Sequence, residues 1–128
     1  MKEGIFTDKA PKPVGPYSQG IKLGNLIFVS GQIPINPETG EIIREPFEAA
    51  ARQALSNMIE IVKAGGGDID TILQVRVYLK DVGKFGVFNK VYSDYFGNTL
   101  PPARVVIEAS KLPLDVDLEV ECIAYAPE

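Results

Sequence analysis

Leu26-Ile27-Phe28-Val29 is an unbroken apolar run. A strand built from it is apolar on both faces and needs cover above and below. That requirement constrains the fold more than any other feature, because the remaining chain offers few elements to meet it. Residues 20–24 and 26–30 flank Asn25, so Gly24-Asn25 reads as the turn of a hairpin. Asn36-Pro37-Glu38-Thr39-Gly40 reads as a second turn. Glu45-Pro46 then opens a helix, with proline at the tolerated first position. Phe47, Ala51, Ala54, Leu55, Met58 and Val62 recur on one helical face, and Gly65-Gly66-Gly67 ends it. Leu73, Val75, Val77 and Leu79 alternate with Gln74, Arg76, Tyr78 and Lys80, as in a strand with two unlike faces.

Asp81 is placed to cap a second helix carrying Phe85, Phe88, Tyr92, Tyr95 and Phe96 on one stripe, with Gly97 as its stop. Residues 103–109 and 118–125 read as two last strands, joined through Leu112-Pro113. The first sixteen residues hold three prolines and two glycines and read as an irregular arm. The order strand, strand, helix, strand, helix, strand, strand predicts an α+β fold with two helices against one face of a mixed sheet. Residues 1–128 suffice for one domain and leave little for a second. Nothing remains to cover the far face of the sheet, so another subunit is expected there.

Composition narrows the chemistry. The chain has no histidine and one cysteine, Cys122. That removes the commonest general base, every Ser-His-Asp or Cys-His arrangement, and any multi-cysteine metal site. Carboxylates, tyrosine, arginine, backbone groups and water remain. The formal net charge is −4 and the basic residues are scattered, which disfavours nucleic acid as the main partner. No apolar run approaches the ~20 residues of a membrane span, and Met1-Lys2-Glu3-Gly4 lacks a signal-peptide core. The expected compartment is the cytoplasm.

Arg104 stands in Pro101-Pro102-Ala103-Arg104-Val105-Val106-Ile107-Glu108. A guanidinium among β-branched residues needs a partner, and its planar fork matches a carboxylate. Two readings compete: an acid of this chain, or the carboxylate of a small ligand. Glu119 and Glu121 share one face of the last strand, opposite Leu118, Val120 and Cys122. They are either a solvated strand face or the source of one carboxylate near Arg104 on a neighbouring strand. Tyr17, in Gly15-Pro16-Tyr17-Ser18-Gln19-Gly20, sits on a rigid turn where it either reaches a ligand or covers the core edge. Ser30-Gly31-Gln32 ends a strand, and its glycine admits a ligand or marks a bulge. The aromatic stripe reads as core packing, and Asn89 as a surface or hydrogen-bonding residue. Cys122 falls on the apolar face and reads as a buried, inert thiol.

Six segments resemble the RidA (YjgF-type) family of reactive-intermediate deaminases, in order and spacing. They are Gly15-Pro16-Tyr17-Ser18-Gln19-Gly20, Val29-Ser30-Gly31-Gln32-Ile33-Pro34, Asn36-Pro37-Glu38-Thr39-Gly40, Pro102-Ala103-Arg104, Leu112-Pro113 and Leu118-Glu119-Val120-Glu121. The resemblance covers residues 10–125. It implies a chorismate-mutase-like homotrimer with a central barrel and clefts between subunits. It implies hydrolysis of 2-imino acids, such as 2-iminobutanoate and 2-iminopropanoate, to 2-oxo acids and ammonia, without metal or organic cofactor. By that resemblance Arg104 holds the substrate carboxylate, Glu119 positions water, and Tyr17 sits at the ligand. Gly31 gives a backbone contact beside Ser30, and Phe85 and Asn89 line or brace the cleft. Many bacterial members carry cysteine where this chain has Val106, so no thiol acts there, although the backbone at Val106 still borders the ligand. The competing class is a small-carboxylate binding protein that uses the same cleft without turnover. A ribonuclease role, attributed to some relatives, fits the acidic chain less well.

Overall fold

A computed structural model describes residues 1–128. Six strands form one sheet: β1 (Glu3–Ile5), β2 (Gly20–Leu23), β3 (Leu26–Gln32), β4 (Ile72–Leu79), β5 (Ala103–Glu108) and β6 (Leu118–Tyr125). Their spatial order is β1-β2-β3-β6-β4-β5, and only the β4–β5 pair is parallel. Two helices accompany it, α1 (Phe47–Ala64) and α2 (Phe85–Phe96). Helix α2 lies in the β4-to-β5 connection, as a parallel pair requires a crossover.

The hairpin is as the sequence predicts. Leu23 pairs with Leu26, which leaves Gly24-Asn25 as a two-residue turn, and Gly24 takes the positive φ of 60° that this turn demands. Phe47, Ala51, Ala54, Leu55, Met58 and Val62 of α1 are all buried. They share one core with Ile27 and Val29 of β3, Val75, Val77 and Leu79 of β4, and Leu118, Val120, Cys122 and Ala124 of β6. Phe88, Val91, Tyr92 and Phe96 add the α2 face to the same core. The opposite sheet face is open. Leu26, Phe28, Val105 and Ile107 are each 39–47% exposed there. The two-sided apolar run is therefore covered by helices on one side only.

Four expectations need correction. The arm is not wholly irregular, because β1 pairs with β2 and buries Ile5. Leu73 is not a core residue: a register shift between Ile72 and Gln74 turns Leu73 out and puts Ile72 inside. Pro46 is the N-cap of α1, one residue before the first helical position. Asp81 caps the 3₁₀ turn Val82–Lys84 that leads into α2, accepting from the Gly83 N–H at 2.8 Å, and does not cap α2 itself.

Candidate functional site

The structure sorts the candidate residues into two groups. The first is built on α2 and the edge strand β5. Arg104 pairs in register with Val75, and Val106 with Val77, so both side chains lie on the helix side of the sheet. Phe85, Asn89 and Tyr92 follow helical spacing along α2 and meet Arg104. The Arg104 Nη1 donates to Asn89 Oδ1 at 2.8 Å. Its guanidinium carbon lies 5.5 Å from the Phe85 ring centroid and 4.7 Å from that of Tyr92. Such stacking holds the cation without neutralising it. The chain's ion pairs engage Arg52, Lys63, Arg76 and Lys80, and none engages Arg104. The reading in which Arg104 pairs with an acid of its own chain is thus ruled out within the protomer. Val106 is half-buried and packs on the core below.

The spacing of Tyr92 predicts a core residue; it is buried there and also forms the floor under Arg104. Its hydroxyl is buried without a hydrogen-bond partner. Burial pushes that hydroxyl's pKa up to about 12, against the opposing pull of the Arg104 charge.

The second group surrounds a cavity of about 370 Å³ lined by Val14, Tyr17, Ser30, Gly31, Ile33, Pro113 and Glu119. The β3–β6 pairing shifts register between Val29 and Gln32, so Ser30-Gly31 bulges beside Glu119. Gly31 is a close approach: a Cβ added there would lie 2.9 Å from Glu119 Cδ and run into its carboxylate. The Ser30 hydroxyl donates to the Ser18 carbonyl at 2.6 Å, which leaves its lone pairs free. The Tyr17 hydroxyl accepts from the Val14 N–H at 3.3 Å, and the ring is 46% exposed.

The structure also separates the two glutamates. Glu121 accepts from the Tyr78 hydroxyl at 2.6 Å and lies 3.9 Å from Arg76. Glu119 has no such partner and is half-buried. Burial, and then the charge of Glu121, raise its pKa above the ordinary glutamate value.

One expectation fails. Glu119 does not meet Arg104 across neighbouring strands. Strand β4 lies between β5 and β6, and Glu119 aligns with Tyr78 and Ile107 on the open face. The two groups lie on opposite sides of the sheet in one chain.

Sequence reasoning missed Val14, Ile33 and Pro113 in the cavity wall, for which single apolar residues give no signal. It also missed Gln19. That side chain is 1% exposed. It accepts from the Thr7 N–H and donates to the carbonyls of Thr7, Ala10 and Pro11, so it pins the arm that carries Val14. A glutamine next to the Tyr17-Ser18 turn was the available clue.

Residues 7–126 match the family model described as endoribonuclease L-PSP. A RutC family protein of Pyrococcus horikoshii is 52% identical over 125 residues, covering 98% of each chain. The 2-iminobutanoate/2-iminopropanoate deaminase of Escherichia coli is 44% identical over 126 residues, covering 97% of this chain and 98% of its own. Among solved structures, E. coli TdcF with bound serine aligns with a TM-score of 0.94 at 38% identity, over 98% of this chain and 99% of that one.

Proposed function

The chain belongs to the endoribonuclease L-PSP (YjgF/RidA) family, and on that footing we propose that it hydrolyses 2-imino acids to 2-oxo acids and ammonia. The observation that carries the reading is Arg104: a half-buried guanidinium, braced by Asn89, Phe85 and Tyr92, with no carboxylate of its own chain. A carboxylate-bearing substrate supplies that partner. The deaminase name of a relative 44% identical supports the reaction.

The chemistry asks little of the protein. A protonated 2-imino acid is already electrophilic at C2. Arg104 holds its carboxylate, and Glu119 aims a water at C2 and accepts a proton as the C–O bond forms. The C=N bond becomes a single bond. The proton returns to nitrogen; the C–N bond then breaks as the new hydroxyl gives its proton back to Glu119 and C=O forms, so that ammonia leaves a 2-oxo acid. Tyr17, Ser30 and the Gly31 backbone border the reacting centre in this proposal, and Val106 lines the carboxylate end. No metal or organic cofactor enters it.

The proposal places the reaction between subunits of a homotrimer around a central barrel, in a cytoplasmic setting, with residues 1–128 acting as one domain. The open sheet face with Leu26, Phe28, Val105 and Ile107 supports such packing. So does the separation of Arg104 from Glu119, which one protomer cannot join. The test generates 2-iminobutanoate with a threonine dehydratase in amine-free buffer and follows 2-oxobutanoate release. Acceleration by the protein establishes the deaminase. No acceleration, with saturable 2-oxobutanoate binding, establishes the carboxylate-binding alternative, which TdcF with bound serine also fits.

Two outcomes follow from the cavity. Gly31→Ala should lower kcat/KM about 10²-fold, because the added Cβ displaces the Glu119 carboxylate and a shift of ~1 Å costs that much. Full activity in that variant would show that Glu119 tolerates displacement. The second concerns pH. Glu119 must be ionised to take a proton, and its pKa is raised. The acid limb of kcat/KM should therefore lie above the ordinary glutamate range, with activity lost as pH falls through it. The sign for stability is opposite: the fold disfavours the charged form, so stability is lost as pH rises through the raised pKa.

A further inference from the structure

We propose that Arg44 is a positioning residue for the cleft, holding the turn that carries Pro113 and so setting substrate fit. The inference rests on the deaminase reading. Arg44 lies in the exposed segment before α1, 70 residues from the turn it binds. Its Nη2 donates to the Leu114 carbonyl at 3.0 Å and its Nη1 to the Asp115 carbonyl at 3.1 Å. Those two residues both have φ of 55°, in the left-handed region. Two consecutive non-glycine residues take up that conformation only where contacts hold them, most of all a leucine. Leu114 is 56% exposed, so burial of its side chain does not hold it. The fork on two adjacent carbonyls does. The Lys80 ammonium adds a second hold, 3.0 Å from the Asp115 carboxylate.

Pro113 lines the cavity with Glu119 and immediately precedes the left-handed pair. If the turn relaxes, Pro113 moves and the wall changes shape. Glu119 is fixed separately, because Leu118 and Glu119 pair in register with Leu79 and Tyr78 of β4. Arg44 should therefore govern how substrate fits and leave the chemical step intact.

Arg44→Ala should raise KM for 2-iminobutanoate about fivefold, with kcat changed less than about twofold. Arg44→Lys should fall between, since an ammonium lacks the fork. Adding Leu114→Asn to Arg44→Ala should recover most of the KM, because asparagine tolerates the left-handed region. The amides of Asp115 and Val116, bonded to the Leu112 and Pro113 carbonyls, should exchange with deuterium faster in Arg44→Ala. Unchanged exchange would overturn the clamp. Faster exchange with an unchanged KM, or a loss in kcat alone, would overturn its role in fit. A wild-type protein without imine turnover would instead remove the deaminase reading; exchange and 2-oxobutanoate affinity would then decide the Arg44 proposal separately.

Discussion

Arg104→Ala should lower kcat/KM for a 2-imino acid about 10³-fold while the protein stays folded, since a desolvated charge-assisted pair is worth several kcal/mol. The fold should tolerate the change. Arg104 is half-buried on an edge strand and pairs with no internal acid, so its removal leaves no orphaned buried charge. Asn89 loses one donor but is itself only half-buried, so water replaces it. Arg104→Lys should restore part of the loss, because it returns the charge without the planar fork. Thermal unfolding checks the fold and imine turnover checks the site. A folded Arg104→Ala variant with full kcat/KM would end the assignment of Arg104 as carboxylate anchor.

How far the sequence could be read follows from what each signal depends on. Period and punctuation are local, so the hairpin at Gly24-Asn25, the apolar face of α1 and the alternation of β6 were legible. The β4 bulge was not, because it depends on pairing with β6 across 50 residues of chain, and Leu73 kept its alternation on paper while turning outward. The strand in the arm was hidden by its length, because the three residues Glu3–Ile5 are too few to show a period. It forms because Ile5 enters the core and Gln19 anchors the following loop. For the site, residue types pointed to Arg104 and to one of Glu119 and Glu121, but strand order decided their relation. With β4 between them and their side chains on opposite faces, two groups emerged in place of one. Residue types left Glu119 and Glu121 equivalent and only the resemblance favoured Glu119; the physical difference between them lies in Tyr78 and Arg76, which engage Glu121.

Charge bears on the family model's description as an endoribonuclease. The net charge is −4, and the cavity around Glu119 has no lysine or arginine in its lining. Within one protomer, a phosphodiester brings negative charge to a carboxylate there without a lining cation to offset it. In the proposed reaction a 2-imino acid suits the same surroundings, because its nitrogen is cationic when protonated and its carboxylate is assigned to Arg104.

Glu119→Gln should lower kcat about 10²-fold or more and change KM little, because general-base assistance typically contributes that much and the proposed mechanism rests substrate binding on Arg104. Glutamine keeps the shape beside Gly31 and removes the proton acceptor. The raised acid limb of the pH profile should vanish with it, which ordinary loss of packing would not produce. Equal turnover in this variant would sink the water-activating role. The same variant tests where the site lies. If each cleft takes Arg104 from one subunit and Glu119 from its neighbour, unfolding and refolding Arg104→Ala with Glu119→Gln chains together should restore activity that neither has alone. With equal mixing, half the clefts receive an intact arginine and half of those an intact glutamate, so about a quarter of wild-type turnover should return. A cleft confined to one chain would return none, because every chain in the mixture carries one of the two lesions.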